Sequence, residues 1–435
     1  MSIYPDSVLA QKEAVPAIYR NADFSLVPER FTKDLSVESS LINGRFADRR
    51  QALLADEDTV ELIKAYTMTG DGVADAYAAL IPQYGLQALI GMLEEACDKG
   101  IEALQNPPQE LVDFIRHMEK TPDWLDMALV EQGAKEERIN AATLFPFAIR
   151  GAFFATFLNK YTALPMAMTG ALSGRLAAKR VFETASFFTT STLPGALGRY
   201  GEGFKAAAKV RLMHSMVRFH AMSSDKWDFK TYGIPIPQVD QMPAGLIGVF
   251  ILSQKVLKQG RTEFNAEERA ILELARYRCY LLGLPEDLLA ETPEGIMKLW
   301  LTRSATIRHG FDDATCGELI RQTMAADLRR NPSLWGAVEN RLEQGFSKLF
   351  LLKNFCAGDA DKARSIGVEL SLSDWLAAFA ALLLIVMKKA TYKVLRRTPG
   401  LSAWSERRLI ARVHTLLGRY GKADFVTDSA KYSHA

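Results

Sequence analysis

The sequence predicts an all-α protein, a single large helical domain with extensions at both ends. Three observations predict it. Apolar residues recur at spacings of three and four almost throughout, and no alternating run is long enough for a sheet. Residues 140–162 are apolar all round, the pattern of a helix buried on every face. No repeat, low-complexity tract or Gly/Ser-rich linker divides the 435 residues, and 48% hydrophobic content provides for a large core.

The elements follow in order. Residues 1–45 are polar and proline-interrupted, a partly extended arm. Helices are predicted over 45–67, 71–81, 83–104, 108–119 and 124–134, punctuated by Gly70-Asp71-Gly72 and Asn106-Pro107-Pro108. Beyond the 140–162 segment come 171–191 and 201–223, with Pro194-Gly195 in the turn between them. A proline-rich loop from Gly233 to Asp240 leads into 241–258. Asn265 is placed to cap a helix reaching 282, with Glu267 and Glu268 in its first turn. Helices over 286–302, 311–330, 332–353, 371–397 and 403–419 complete the chain. In linear order this gives an amino-terminal arm with helices (1–109), a central segment holding the chemistry-bearing residues (110–355) and carboxy-terminal apolar and basic helices (356–435).

Composition excludes several classes. A net charge of +2 gives no reason to expect a nucleic-acid partner. The four cysteines, Cys97, Cys279, Cys316 and Cys356, are far apart and form no CxxC pair, so neither structural zinc nor a disulfide framework is expected. The start, Met1-Ser2-Ile3-Tyr4-Pro5-Asp6, lacks the regions of a signal peptide, and the reading is cytoplasmic. The long apolar run, Trp375 to Met387, spans thirteen residues. That is roughly 20 Å of helix against the ~30 Å of a hydrocarbon core. Lys388, Lys389, Lys393, Arg396, Arg397, Arg407, Arg408 and Arg412 follow, opposed by Glu406 alone. Two readings stand for 375–412: peripheral contact with an anionic bilayer, or a helix packed on the domain.

The 201–223 helix carries the most informative residues. Arg211, His214 and Arg218 fall on one face, within about 60° of each other. Two guanidinium groups disfavour an imidazolium, leaving a neutral ring able to ligate metal, and they call for counter-charges such as the paired propionates of haem. From this segment alone, haem ligation and an ordinary charged helix surface stand equal. The preceding helix places Arg180, Glu183 and Thr184 at i, i+3 and i+4, among Phe182, Phe187 and Phe188. Glu183 is there a candidate proton donor or base, or simply the ion-pair partner of Arg180 or Lys179.

These segments together resemble the rubber-oxygenase family, which includes latex clearing proteins and an endoplasmic-reticulum-bound oxygenase. The matching elements come in family order: Pro122-Asp123-Trp124-Leu125-Asp126, Gly133, Thr169-Gly170, Arg180…Glu183-Thr184, Pro194-Gly195, Lys209 to His214, Gly233-Ile234-Pro235 and Gln238-Val239-Asp240. The resemblance covers about 110 to 350. It implies a helical fold with a globin-like core holding haem b, His214 as proximal iron ligand, and Arg211 and Arg218 supporting the haem. Arg180 and Thr184 would stand on the distal side, where dioxygen and substrate meet. Latex clearing proteins have a lysine immediately before that threonine, whereas this chain has Glu183, a departure that puts polyisoprene cleavage in doubt.

The expectation is a haem-b-dependent oxygenase acting on an apolar, unsaturated small molecule such as an isoprenoid or lipid chain, with Arg180, Glu183 and Thr184 as catalytic residues. A non-catalytic haem sensor or carrier, and a haem-free helical protein at a membrane surface, are the alternatives.

Overall fold

The computed structural model of the protein describes residues 3–40, 46–154, 156–169, 175–329 and 333–421. Among them every extended element is a helix, and β pairing is confined to the isolated bridges Phe31–Ile307 and Ser39–Arg308. Gly170 and the start of the expected 171–191 helix lie outside the described residues. The fold is all-α. Packing groups the helices differently from the linear order, into two compact units each made of two chain segments: 1–133 with 195–309, and 134–194 with 310–435.

In the first unit the amino-terminal arm departs from expectation. Residues 6–19 form short helical turns, Asp6–Leu9, Gln11–Ala14 and Pro16–Tyr19. Such turns are too short to show periodicity, and they persist because Val8, Ile18 and Tyr19 bury against Ala65, Met68 and Ile234. The expected 45–67 helix is likewise divided. Asp56 accepts a bond from the Thr59 N–H and caps a fresh helix, Glu57–Thr67, after Arg50–Leu54. Gly85, at φ 78°, interrupts 83–104 and leaves Leu86–Lys99.

The expected helices 201–223, 265–282, 332–353, 371–397 and 403–419 appear within a few residues of their bounds, whereas 124–134 runs on to Thr143, 286–302 starts as an α-helix only at Pro293, and 311–330 narrows to Glu318–Ala325. Glu202–Met222 starts where Gly201 passes under the Ala196 carbonyl, a space that no Cβ fits. Ala266–Leu281 carries the expected Asn265 cap as a reciprocal box with Glu268, at 2.9 and 3.0 Å. Gln238–Lys258 begins three residues earlier than expected and contains Pro243. Proline cannot bond the carbonyl four residues back, and Arg303 Nε fills that vacancy on Val239 O at 2.7 Å.

The second unit buries Phe154, Phe157, Val181, Ile320, Leu351 and Leu416 in one cluster. The apolar 140–162 segment is not one helix. Pro146 restarts the chain as Phe145–Phe154, and Asn159 then caps Lys160–Met168 through the Tyr161 N–H at 3.0 Å. The Arg175–Thr190 helix follows. Leu334–Phe355 packs on Leu372–Arg397, and Ser402–Tyr420 ends the described chain.

Candidate functional site

The Glu202–Met222 helix aims its two expected arginines into the first unit, and both find counter-charges there. Arg211 pairs through Nε and Nη2 with both oxygens of Asp71, the latter bond 2.8 Å long. Its Nη1 lies 3.2 Å from His117 Nδ1, and its guanidinium sits over the Phe114 ring. Arg218 pairs with Asp75, which also accepts from the Tyr19 hydroxyl. Its Nε and Nη2 donate to the carbonyls of Pro235 and Ile236 at 3.0 and 2.6 Å. All four charged side chains are at least 96% buried. Burial works against the Asp71 charge, but the guanidinium of Arg211 and, beyond it, that of Arg218 hold its carboxyl below the usual range.

The counter-charges sought in a cofactor's carboxylates are thus supplied from within the protein. Asp71 and Asp75 sit at the cap and in the first turn of the helix Gly72–Ala78, where the sequence showed a turn signal and a 71–81 helix but not the partners of the two arginines. Two glycines make room for the pairs. A Cβ on Gly70 would collide with Tyr19, Asp75 and Arg218, and one on Gly283 would reach Arg211 and Asp71. Arg218 also holds Ile236 at φ 48°, a left-handed conformation that costs a β-branched residue about 1–3 kcal/mol.

His214 is held differently. Its Nδ1 lies 3.0 Å from Gln241 Oε1. Gln241 Nε2 donates to Gln238 Oε1 at 3.0 Å, and Gln238 Nε2 donates to the Gly70 carbonyl at 2.9 Å. This chain has one direction. A backbone carbonyl only accepts, so Gln238 must present its amide nitrogen to Gly70 and its oxygen to Gln241. Gln241 must then present its oxygen to His214, and Nδ1 must carry the proton. Burial, reinforced by the nearby Arg218 charge and partly offset by Gln241, lowers the imidazole pKa to about 4, so at neutral pH Nε2 is a bare lone pair.

That is the donor set of a metal-binding histidine whose second nitrogen is fixed by a carbonyl oxygen. Among the described residues no group of three or more His, Cys, Asp and Glu side chains gathers to hold a metal. His214 is therefore suited to a metal that brings its other ligands with it, as a porphyrin iron does. His214, with its Nδ1 held by Gln241, fits as the residue that would hold such a group. Direct pairing of Arg211 and Arg218 with propionates does not, because both guanidinium groups are already engaged.

Arg180, Glu183 and Thr184 belong to the second unit. Arg180 Nη1 donates to Glu183 Oε2 at 2.8 Å, and Lys179 Nζ lies 3.8 Å from Oε1. Glu183 is buried, whereas Thr184 one residue on is exposed. The nearby aromatic side chains are occupied: Phe182 stacks on Tyr420 at 5.4 Å, and Phe187 is buried against Phe188.

The remaining motif residues are packing devices. Asp240 bridges Arg30 and Arg303 at 2.7 and 2.9 Å. Gly133 lies so close to the Ala270 carbonyl that no side chain fits. Trp124 donates to Glu286 at 2.8 Å under the Arg276 guanidinium. Sequence reasoning missed Gln238 and Gln241 as a pair with His214. Their i, i+3 spacing at a helix start was the one available signal.

Comparison with known proteins bears on the family and the fold. Residues 141–420 match the family described as ER-bound oxygenase mpaB/B′/rubber oxygenase, catalytic domain. A rubber oxygenase of Streptomyces sp. (strain K30) is 22% identical over 283 residues, covering 59% of this chain and 69% of that protein. The structure of latex clearing protein in its closed state aligns with a TM-score of 0.55 at 19% identity, covering 81% of this chain and 91% of that one. At that identity the structural likeness speaks for the fold.

Proposed function

The chain belongs to the ER-bound oxygenase mpaB/B′/rubber oxygenase family, and from that premise we propose that it is a haem-b-dependent oxygenase acting on an apolar, unsaturated small molecule. One observation carries the haem reading: the directed chain from Gly70 through Gln238 and Gln241 leaves Nε2 of His214 unprotonated. The globin-like core implied by the resemblance belongs to the same proposal.

Haem bound at His214 would supply the activation of dioxygen. The protein's part is to hold and tune. Gln241 fixes the imidazole's tautomer and rotation and makes Nε2 a better donor. Arg211 and Arg218 support the site by anchoring the His214 helix and the 235–236 turn, not by meeting the cofactor's carboxylates. In the second unit Glu183 holds the Arg180 guanidinium, and the Thr184 hydroxyl can donate or accept a hydrogen bond to a polar oxygen species or substrate. An isoprenoid or lipid chain is the favoured substrate class, because the lysine of latex clearing proteins is replaced here by Glu183.

The test is the absorption spectrum of protein expressed with ample haem supply. A Soret band lost in His214→Ala is the expected result, together with oxygen uptake on adding unsaturated isoprenoids or lipids. Absence of a Soret band overturns the haem reading. Haem retention without oxygen uptake overturns the oxygenase reading and leaves a carrier.

A further inference from the structure

We propose that the outward face of the Leu372–Arg397 helix docks the protein on a lipid bilayer bearing anionic headgroups. This inference does not depend on the haem reading. Among the described residues this is the one helix long and apolar enough to cross a membrane, yet only 22% of its most apolar window is buried. At 100° per residue, Leu372, Leu376, Phe379, Leu383 and Val386 fall within about 80° of one another. Leu376, Phe379, Leu383 and Val386 are 65, 67, 51 and 54% exposed. A contiguous apolar stripe of this kind on a soluble surface marks an interaction site.

The opposite face fixes how the helix is used. Ala377, Ala378, Ala381 and Ile385 are buried. Gly345 of the neighbouring Leu334–Phe355 helix brings the two backbones together, since a Cβ there would stand 2.7 Å from the Asp374 carbonyl. That neighbour carries Arg341, Glu343 and Lys348. Its charges would have to enter hydrocarbon, which strongly disfavours them there, if the Leu372–Arg397 helix crossed a membrane. The helix therefore lies along a surface, with one side on protein and one side outward.

Charge selects the occupant. The helix has a single acid, Asp374, which is buried and held by Arg341 at 2.5 Å and Lys348 at 2.8 Å. The outward stripe itself carries no carboxylate. Toward its carboxy-terminal end the same line continues through Lys393 and Arg397, and beyond the turn Arg407, Arg408 and Trp404 are exposed. A second copy laid on this stripe would bury Lys393 and Arg397 with no acid on the stripe to meet them. An anionic bilayer satisfies both parts, hydrocarbon for the leucines and phenylalanine, phosphate for the cations. Indole and guanidinium at the same end, with Arg408 5.9 Å from the Trp404 ring, suit the headgroup layer.

The experiment is flotation of the full chain with vesicles of phosphatidylcholine, with and without phosphatidylglycerol. The protein should float with the anionic vesicles. Phe379→Glu combined with Leu383→Glu should lower partitioning at least roughly tenfold. Lys393→Glu combined with Arg397→Glu should remove the preference for phosphatidylglycerol and the salt dependence. All four side chains are exposed, so helical content and thermal midpoint should not change, and these are measured alongside. No flotation of the unaltered chain, or equal flotation of the variants, overturns the proposal. So does a dimer in light scattering that Phe379→Glu dissolves while vesicles go unbound.

Discussion

The Nδ1 of His214 lies 3.0 Å from the Oε1 of Gln241, the last link of a chain whose direction is set at the Gly70 carbonyl. The first prediction follows from it. Gln241→Leu removes the acceptor, freeing the ring to rotate and to move its proton to Nε2. Haem affinity of the apo protein, titrated by absorbance, should fall about 10- to 100-fold. Gln241→Glu keeps an acceptor and should keep most of the affinity while altering the reduced spectrum. Unchanged titration of the leucine variant would remove Gln241 from the site.

Arg211 and Asp71 form a buried pair inside the protein, so Arg211→Ala should destabilise the apo protein by about 3–5 kcal/mol in urea unfolding. Were Arg211 a propionate partner instead, its loss would weaken haem binding and spare apo stability. Asp71→Asn separates the two cases, because it disturbs the pair without touching a group that could meet an anion.

Gly70 has no space for a methyl group, its virtual Cβ meeting Tyr19, Asp75 and Arg218. Gly70→Ala should cost about 1–3 kcal/mol through overpacking. Because the Gly70 carbonyl also anchors Gln238, the variant should lose haem affinity as well. Gly72→Ala, with open space around it, should do neither.

Acid should weaken the apo protein through His214. Its pKa is lowered from 6.5 to about 4, so between those values the unfolded chain takes up a proton that the folded chain refuses. The stabilising contribution is complete above about pH 6.5 and is lost as pH falls toward 4, amounting to up to about 3 kcal/mol. His117 beside Arg211 shifts in the same direction, with a smaller effect because it is exposed. Urea midpoints at pH 7 and pH 5 should differ less in His214→Leu than in the unaltered chain.

Glu183 and Arg180 give the last prediction. Glu183→Gln replaces one acceptor with a weaker one and leaves the helix intact, so haem content should hold while any oxygen-dependent turnover falls. Equal turnover in the variant would confine Glu183 to its bond with Arg180.

Much of the helical order was legible from local pattern. Asn265 with Glu268 announces a helix start because the cap is made within four residues, and the 201–223 and 403–419 helices appear within one residue of expectation. What failed to show was chemistry set by distant partners. Pro146 and Asp56 interrupt apolar runs that periodicity joins together. Periodicity left 375–412 open between bilayer contact and packing on the domain, and Leu376 and Phe379 face outward because the small Ala377 and Ala378 take the contact with Gly345.

By itself the sequence determined an all-helical chain, a histidine between two arginines on one helix face, and a family resemblance spread over 240 or so residues, since these rest on short-range periodicity and motif order. Only the tertiary structure decided what the arginines do and which imidazole nitrogen is free. Asp71 lies 140 positions from Arg211 and Gln241 lies 27 from His214. No local pattern links such pairs; burial does, because a charge or ring nitrogen removed from water must be matched by whatever the fold brings beside it.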